Sequence, residues 1–305
     1  MGQVMKMERT FEQLPDLFPE PLKFAVTILL QEQGSDLEEL RLRQGQPVCA
    51  FRAGREYPIR YRDDEMTADA ELLAQIVKRA SGHSAYAVQE QLRQGYLSLP
   101  HGHRLGVCGT AVMEEGRVKT VKQIQSLSLR IAREVCGAAA PAMNLLRNRP
   151  GSTLVAGCPG AGKTTVLRDM IRQLSDRSGE RVGVVDERGE IAACHGGLPQ
   201  FRVGRLTDVL TGCPKAEGIE ILLRTMRPKW IALDEITSQT DAEAVIRASY
   251  CGVRFLAAVH VWQREDLFRR PVYRALTGTG LFENLVLLRP DRSMVCQPFS
   301  GDDGA

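Results

Sequence analysis

The stretch that decides the fold of this chain is a glycine-rich loop, Gly157-Cys158-Pro159-Gly160-Ala161-Gly162-Lys163-Thr164-Thr165. It matches the phosphate-binding pattern G-x-x-x-x-G-K-[ST] at every fixed position. An apolar run at residues 152–156 precedes the loop and has the composition of a short buried strand. After the loop, apolar residues recur at helical spacing as far as Leu174. Strand, loop and helix together predict a nucleotide-binding site.

Each residue type in this loop suits phosphate binding for a chemical reason. The glycines let backbone N–H groups converge on phosphate oxygens without Cβ clashes, and the helix N-terminus adds partial positive charge. Lys163 is predicted to reach the β- and γ-phosphates, and the Thr164 hydroxyl to ligate Mg²⁺. The sequence has no N-K-x-D-like element of the kind that selects guanine. We therefore expect residues 157–165 to bind ATP, with Mg²⁺ as the accompanying ion.

A second apolar run, residues 230–233, ends in Asp234 and Glu235. We expect Asp234 to hold Mg²⁺, directly or through water, and Glu235 to polarise the attacking water. The alternative is an ordinary buried strand whose first exposed residues are acidic. The phosphate-binding loop upstream favours the functional interpretation.

Polar residues also follow two other predicted strands. Asp186, Glu187 and Glu190 follow the run at 182–185, and His260 ends the run at 254–259. In open α/β sheets, ligands bind at the carboxyl ends of the strands, so all four residues are candidates to face the γ-phosphate. A loop histidine with satisfied hydrogen bonds is an equally good interpretation of His260.

Composition narrows the class of protein. The 305 residues suggest two domains, and the net charge of +3 is too small to indicate nucleic acid. The N-terminus does not resemble a secretory signal, and its longest apolar run, residues 24–30, is far shorter than the ~20 residues that span a bilayer. The eight cysteines form no C-x-x-C pair, which is typical of a reducing compartment. We therefore expect a cytoplasmic protein without direct membrane insertion.

The pattern along the chain predicts an α/β protein in three parts. Residues 1–132 form a smaller α+β domain, residues 133–150 contain a linker helix over 133–148, and residues 151–305 form a P-loop domain. In the first domain, strands are predicted at 104–113, 117–121 and 125–131. In the P-loop domain, strands at 152–156, 181–186, 230–234 and 254–259 alternate with helices at 163–175, 214–226 and 241–250. This alternation predicts a mostly parallel sheet covered on both faces.

Two shorter features complete the prediction for the P-loop domain. Residues 240–243, Thr-Asp-Ala-Glu, have the pattern of a capping box at the start of the third helix. Residues 284–288 and 293–298 are predicted to form a terminal hairpin.

Four stretches outside the phosphate-binding loop are specific enough to suggest a family: residues 40–47, 102–109, 185–194 and 207–216. Together with the loop and the Asp234–Glu235 strand, they resemble the stage III sporulation protein AA family of endospore-forming bacteria. The resemblance covers nearly the whole chain. That family is similar in turn to the type II and type IV secretion ATPases.

The resemblance implies a RecA-like ATPase domain after the α+β domain, and a homo-oligomeric ring such as a hexamer. It places residues 157–165 at the Walker A site, 186–190 at the acidic box that supplies a catalytic glutamate, and 234–235 at Walker B. It places His260 at the histidine box and Arg104 in the arginine-bearing strand of the N-terminal domain. Arg104 is thus favoured as the arginine offered to a neighbour, over Arg202, Arg205, Arg224 and Arg227.

This sequence departs from the secretion ATPases at Asp234, where they usually have glycine. Which acid holds Mg²⁺ and which activates water therefore stays open, and Glu187 and Glu190 compete for the catalytic role. The zinc-binding cysteine cluster of some secretion ATPases is absent.

The resulting functional prediction is an ATPase that energises a membrane-associated, secretion-like complex during endospore formation. Recruitment by a small membrane protein is expected, with residues 1–132 forming part of the contact. The alternative is a nucleic-acid-dependent RecA-like motor, which the low net charge and the lack of an aromatic and basic stripe disfavour. A non-hydrolysing scaffold is a third possibility, against which the intact Lys163, Thr164 and Glu235 argue.

Overall fold

The computed structural model of the protein describes Phe11 and residues 13–33, 36–82, 91–93 and 95–299. The chain divides into two compact units, Met1–Arg133 and Glu134–Ala305. In the described part of the chain, no helix has both the length and the apolar composition needed to cross a bilayer.

The first unit is built on an antiparallel sheet, whose strands are β1 Glu39–Arg43, β2 Cys49–Arg52, β3 Arg55–Pro58, β6 Tyr96–Ser98, β7 Arg104–Glu114 and β8 Arg117–Arg130. Their spatial order is β3-β2-β1-β8-β7-β6. A separate small hairpin joins β4 Arg60–Tyr61 to β5 Asp64–Glu65, and the helices are α1 Leu22–Gln33 and α2 Ala70–Ala80. Strand β1 buries Leu40 and Leu42, which pair with Leu129 and Leu127 of β8 and carry the core of this unit.

Strand β8 is one continuous strand, although the sequence predicts two. The separation predicted around residues 122–124 is instead a bulge, where the register between β7 and β8 shifts after the pair Cys108 and Ser126. Gln123 has a positive φ of 46° at this point. A Cβ atom on the facing Gly109 would lie 2.5 Å from the Lys122 carbonyl oxygen, so only glycine fits.

The second unit is built on a seven-stranded sheet in the order β11-β10-β12-β13-β9-β14-β15. The bounds are β9 Thr153–Gly157, β10 Val182–Asp186, β11 Thr207–Thr211, β12 Trp230–Leu233, β13 Arg254–His260, β14 Asn284–Leu288 and β15 Met294–Pro298. All neighbours are parallel except β14 and β15, which form the predicted terminal hairpin. The mostly parallel sheet predicted from the sequence is confirmed.

The described part of the second unit, residues 134–299, has six helices: α3 Ala140–Asn148, α4 Lys163–Arg177, α5 Lys215–Thr225, α6 Gln239–Ser249, α7 Asp266–Arg269 and α8 Pro271–Thr277. Two apolar cores lie on opposite faces of the sheet. Val155 of β9 belongs to the core with α3 and α4, whereas its neighbours Leu154 and Ala156 belong to the core with α5, α6 and α8. Burial on both faces explains why these strands are apolar at nearly every position.

The prediction of a helix over 133–148 is wrong at its start, since α3 begins at Ala140. A helix from residue 133 would place Pro141 in its interior, where the missing N–H and the ring disrupt the backbone. Instead Gly137 has a φ of 90°, and the Ala139 amide donates a 2.9 Å hydrogen bond to Asp169 of α4. The edge strand β11 and the short helices α7 and α8 were not predicted.

The capping box of α6 also differs from its prediction. The N-cap is Ser238 rather than Thr240. The Ser238 hydroxyl accepts a 3.1 Å hydrogen bond from the Asp241 amide, and the Asp241 carboxylate accepts one of 3.2 Å from the Ser238 amide. The helix therefore starts close behind Asp234 and Glu235, and its cap holds the short segment that follows these acids.

We expect Ser238→Ala to lower the free energy of unfolding of the second unit by about 1 kcal/mol, because the Asp241 amide loses the side-chain oxygen that accepts its hydrogen bond. Thr240→Ala is the matched control and should change this free energy by less than about 0.5 kcal/mol. Urea unfolding followed by tryptophan fluorescence reports on the second unit alone, since both tryptophans, Trp230 and Trp262, lie in it. Equal losses in the two variants would contradict the observed cap.

Candidate active site

The carboxyl ends of the parallel strands bring the predicted polar residues to one edge of the sheet. His260 at the end of β13 lies in register with Gly157 at the end of β9. Leu233 pairs with Val185, so Asp234 and Asp186 follow at the ends of neighbouring strands. The phosphate-binding loop, the Asp234–Glu235 pair, the loop after Asp186 and His260 therefore converge.

The phosphate-binding loop has the backbone that its glycines require. Gly160 and Gly162 have φ values of 77° and 95°, in the region that other residues avoid. A Cβ atom on Gly157 would lie 2.7 Å from the carbonyl oxygen of Leu288 on the neighbouring strand β14. The loop leads directly into α4, so its amides and the helix N-terminus can meet an anion together.

Lys163 is buried at the first position of α4. Its Nζ donates a 2.9 Å hydrogen bond to the carbonyl oxygen of Cys158 in the same loop. Burial lowers the pKa of Lys163, and the negative charges of Glu235 and Asp234 oppose that shift. A phosphate oxygen would offer this ammonium group a charged acceptor in place of the neutral carbonyl.

Asp234 lies directly after β12 and is only 3% exposed. Its Oδ1 atom is buried and has no hydrogen-bond partner among the described residues. Burial and the nearby negative charges of Glu190 and Glu235 raise the pKa of Asp234 to about 7. A buried carboxylate oxygen without a donor, surrounded by other carboxylates, suits a divalent cation.

The residues present thus fit a Mg²⁺ ion that is bound together with a nucleotide. No cluster of three or more His, Cys, Asp or Glu side chains in the described ranges has the geometry to hold a metal by itself. Mg²⁺ usually keeps several waters and is bound by few protein groups plus substrate phosphates. Asp234 and Thr164 would supply the protein's share.

Glu235 and His260 are in direct contact, with His260 Nε2 against Glu235 Oε1. Burial and the positive charge of Lys163 lower the pKa of His260, although Glu235 and Glu190 act in the opposite direction. A lowered pKa favours the neutral imidazole near pH 7. The structure thus brings His260 to Glu235, and the role of His260 stays a prediction.

The three acids after β10 have different surroundings. Asp186 is fully buried, and its carboxylate accepts hydrogen bonds of 2.8, 3.0 and 2.8 Å from the amides of Glu190, Ile191 and Ala192. Asp186 therefore shapes the loop and is not available to a phosphate. Glu187 pairs with Lys215, a buried lysine at the start of α5. Glu190 acts electrostatically on Asp234, Lys163 and His260, which places its charge at the site.

Two residues that shape this site are absent from the sequence predictions. Lys215 neutralises Glu187, and Arg168 of α4 donates hydrogen bonds to the carbonyl oxygens of Glu190 and Ile191. Lys215 lies in the stretch 207–216 that carries the family resemblance, but nothing there marks it as the partner of Glu187. Arg168 is one of several charged residues in α4, and the sequence does not show that it is buried.

Two of the predicted arginines have partners within their own unit. Arg104 lies in β7 of the first unit, with its guanidinium 3.5 Å from the centre of the Tyr96 ring. Arg202 of the second unit pairs with Glu134 and also donates to the Cys136 sulfur. The role of either residue in hydrolysis stays a prediction.

Comparison with solved structures identifies the fold. The ATPase DotB of Legionella pneumophila has a TM-score of 0.55 at 18% identity, covering 90% of this chain and 80% of that one. The pilus retraction motor PilT with bound ADP has a TM-score of 0.61 at 15% identity, covering 88% and 80%. At these identities the likeness shows the fold alone. The predicted RecA-like fold of the secretion ATPases is confirmed.

Comparison with sequences identifies the family. The model for "Sporulation stage III, protein AA" matches residues 22–295. The stage III sporulation protein AA of Bacillus subtilis (strain 168) is 36% identical over 281 residues, which cover 90% of each protein. The chain therefore belongs to the stage III sporulation protein AA family, as its motifs predict.

Proposed function

We propose that this protein binds ATP with Mg²⁺ and hydrolyses it at the carboxyl edge of the sheet in its second unit. The observation that carries the proposal is the convergence there of a phosphate-binding loop, a buried carboxylate with one oxygen that has no donor among the described residues, and a glutamate in contact with a histidine. These are the parts that phosphoryl transfer requires: a phosphate cradle, a cation ligand and a group that orients water.

Binding is assigned to residues 157–165, with Lys163 exchanging the Cys158 carbonyl for phosphate oxygens. Thr164 and Asp234 are assigned to Mg²⁺. The ion, when bound, would neutralise charge on the phosphates. Its charge would also stabilise ionised Asp234, whose neighbours are negative.

Glu235 is assigned as the group that polarises the attacking water. Its contact with His260 fixes its orientation, and a neutral imidazole leaves the carboxylate charge available. Glu190 is the second candidate for polarising the water, because its charge acts on Asp234 and Lys163. Glu187 is the weakest of the three, since Lys215 already neutralises it.

We further propose that the protein works as a homo-oligomeric ring, such as a hexamer, and energises a membrane-associated complex during endospore formation. Membership in the stage III sporulation protein AA family and the secretion-ATPase fold support this part. A small membrane protein is the proposed recruiting partner for a cytoplasmic ATPase.

Membrane fractionation of the protein, expressed alone and with its gene neighbours, tests this recruitment. Pelleting alone in a salt-resistant form would contradict it.

Two substitutions should separate binding from turnover. Lys163→Ala should weaken ATP binding, because the charge that faces the phosphates is lost. Glu235→Gln should bind ATP normally and reduce turnover roughly 100- to 10,000-fold, because the water loses its base. Nucleotide titration and phosphate release measure the two quantities. If Glu235→Gln keeps wild-type turnover, the role passes to Glu190, with Glu190→Gln as the deciding variant.

The specific activity should rise with protein concentration. Within its own chain, Lys163 contacts the phosphate-binding loop through its hydrogen bond to the Cys158 carbonyl. P-loop enzymes commonly complete the transition-state charge with an added arginine. Arg104→Ala should therefore lower turnover and leave ATP binding intact. Light scattering with and without ATP reports assembly, and a strict monomer with constant specific activity would exclude a shared site.

A further inference from the structure

We propose that Arg168 is a positioning residue that fixes Glu190 relative to the phosphate-binding loop and so controls turnover without touching the nucleotide. The inference rests on the proposed ATPase function and concerns the same site. It assigns a role to a buried charge that none of the motifs explains.

Arg168 lies on the buried side of α4 and is 8% exposed. Burial lowers the pKa of its guanidinium to about 10, although the surrounding carboxylates of Asp186, Glu134, Asp234 and Glu190 oppose this shift. Taking a charged guanidinium out of water is costly unless its donors are satisfied. The groups that satisfy the donors of the guanidinium therefore indicate the role of Arg168.

Both hydrogen bonds of Arg168 go to backbone carbonyl oxygens of one short loop. Nε donates to Ile191 at 2.5 Å, and Nη2 donates to Glu190 at 2.7 Å. The plane of the guanidinium lies over the Phe201 ring, 3.9 Å from its centre. A fork that binds two adjacent carbonyls while stacking on a ring is a property of arginine that lysine lacks.

Asp186 holds the same loop through its backbone amides. Its carboxylate accepts from the amides of Glu190 and Ile191, the two residues whose carbonyls Arg168 binds. Both backbone polar groups of Glu190 are thus tied to buried side chains. The backbone of Glu190 therefore has little freedom, and the point from which its side chain starts is set.

Arg168 matters as an anchor because it lies on the helix that follows the phosphate-binding loop. Helix α4 starts at Lys163, and Arg168 follows five positions later in the same element. Glu190 is therefore fixed to the element that cradles the phosphates, while Asp186 fixes it to β10. In the proposed function Glu190 is the second candidate to act on water, and its charge acts on Asp234 and Lys163. Small displacements of such a group cost large factors in rate, so loss of Arg168 should reduce turnover.

The test is steady-state hydrolysis of MgATP by the full-length Arg168→Gln variant, together with binding of a fluorescent ADP analogue. We expect kcat to fall roughly 10- to 100-fold, with KM and the Kd for the ADP analogue unchanged. Arg172→Gln, one turn further along α4 and paired with Asp169, is the matched control and should keep its turnover. Arg168→Lys should recover part of the lost rate, because one carbonyl can still be bound.

A double-mutant comparison separates positioning from a general structural effect. In a Glu190→Gln background, Arg168→Gln should cause no further loss of kcat, because the residue acts through Glu190. Equal losses in both backgrounds, or a raised KM, would overturn the inference. If Arg168→Gln is not recovered folded, Phe201→Leu removes the stacking partner and should show the same pattern with a smaller loss.

Hydrogen exchange gives a reading that does not depend on activity. In Arg168→Gln, the amides of residues 190–192 should exchange faster than in the wild type, whereas those of α6 should not change. Unchanged protection at residues 190–192 would overturn the positioning role. Absence of hydrolysis by the wild-type protein would instead overturn the proposed function, and the exchange result would still decide whether Arg168 fixes the loop at residues 190–192.

Discussion

The concentration of negative charge at one edge of the parallel sheet is the constraint on which the site depends. Asp234 is buried among carboxylates, and its Oδ1 has no hydrogen-bond donor in the part of the chain that the structure describes. Lys163 is a buried cation beside them. Such a cluster is unfavourable by itself, because like charges in a poorly solvated place disfavour ionisation. A bound cation would relieve it. In this account the unfavourable charge makes the site selective for a nucleotide that arrives with Mg²⁺.

The loop after Asp186 shows how carboxylates with similar positions in the sequence can do different work. Asp186 accepts hydrogen bonds from the loop backbone, Glu187 is neutralised by Lys215, and the charge of Glu190 acts on Lys163. This division bears on which acid activates water. In the proposed function, Glu235, in contact with His260, and Glu190 are the acids assigned to act on water.

The sequence predicted the parts of the structure that depend on local pattern. The phosphate-binding loop, the parallel strands and the acids at their ends follow from periodicity and from fixed spacing, because strand ends meet at one edge. It missed features decided by tertiary partners. Arg168 is explained by carbonyls more than twenty positions away, and the start of α3 by Asp169. The sequence predicts two strands in place of β8, because a bulge interrupts the alternation of apolar and polar residues without ending the strand.

The most direct test of the account is a structure of the protein with a non-hydrolysable ATP analogue and Mg²⁺. We predict that Lys163 Nζ leaves the Cys158 carbonyl and binds a β- or γ-phosphate oxygen. We also predict that Asp234 Oδ1 meets the cation or a water on it. Phosphates bound away from residues 157–165, or Asp234 without a cation or water partner, would contradict the proposed site.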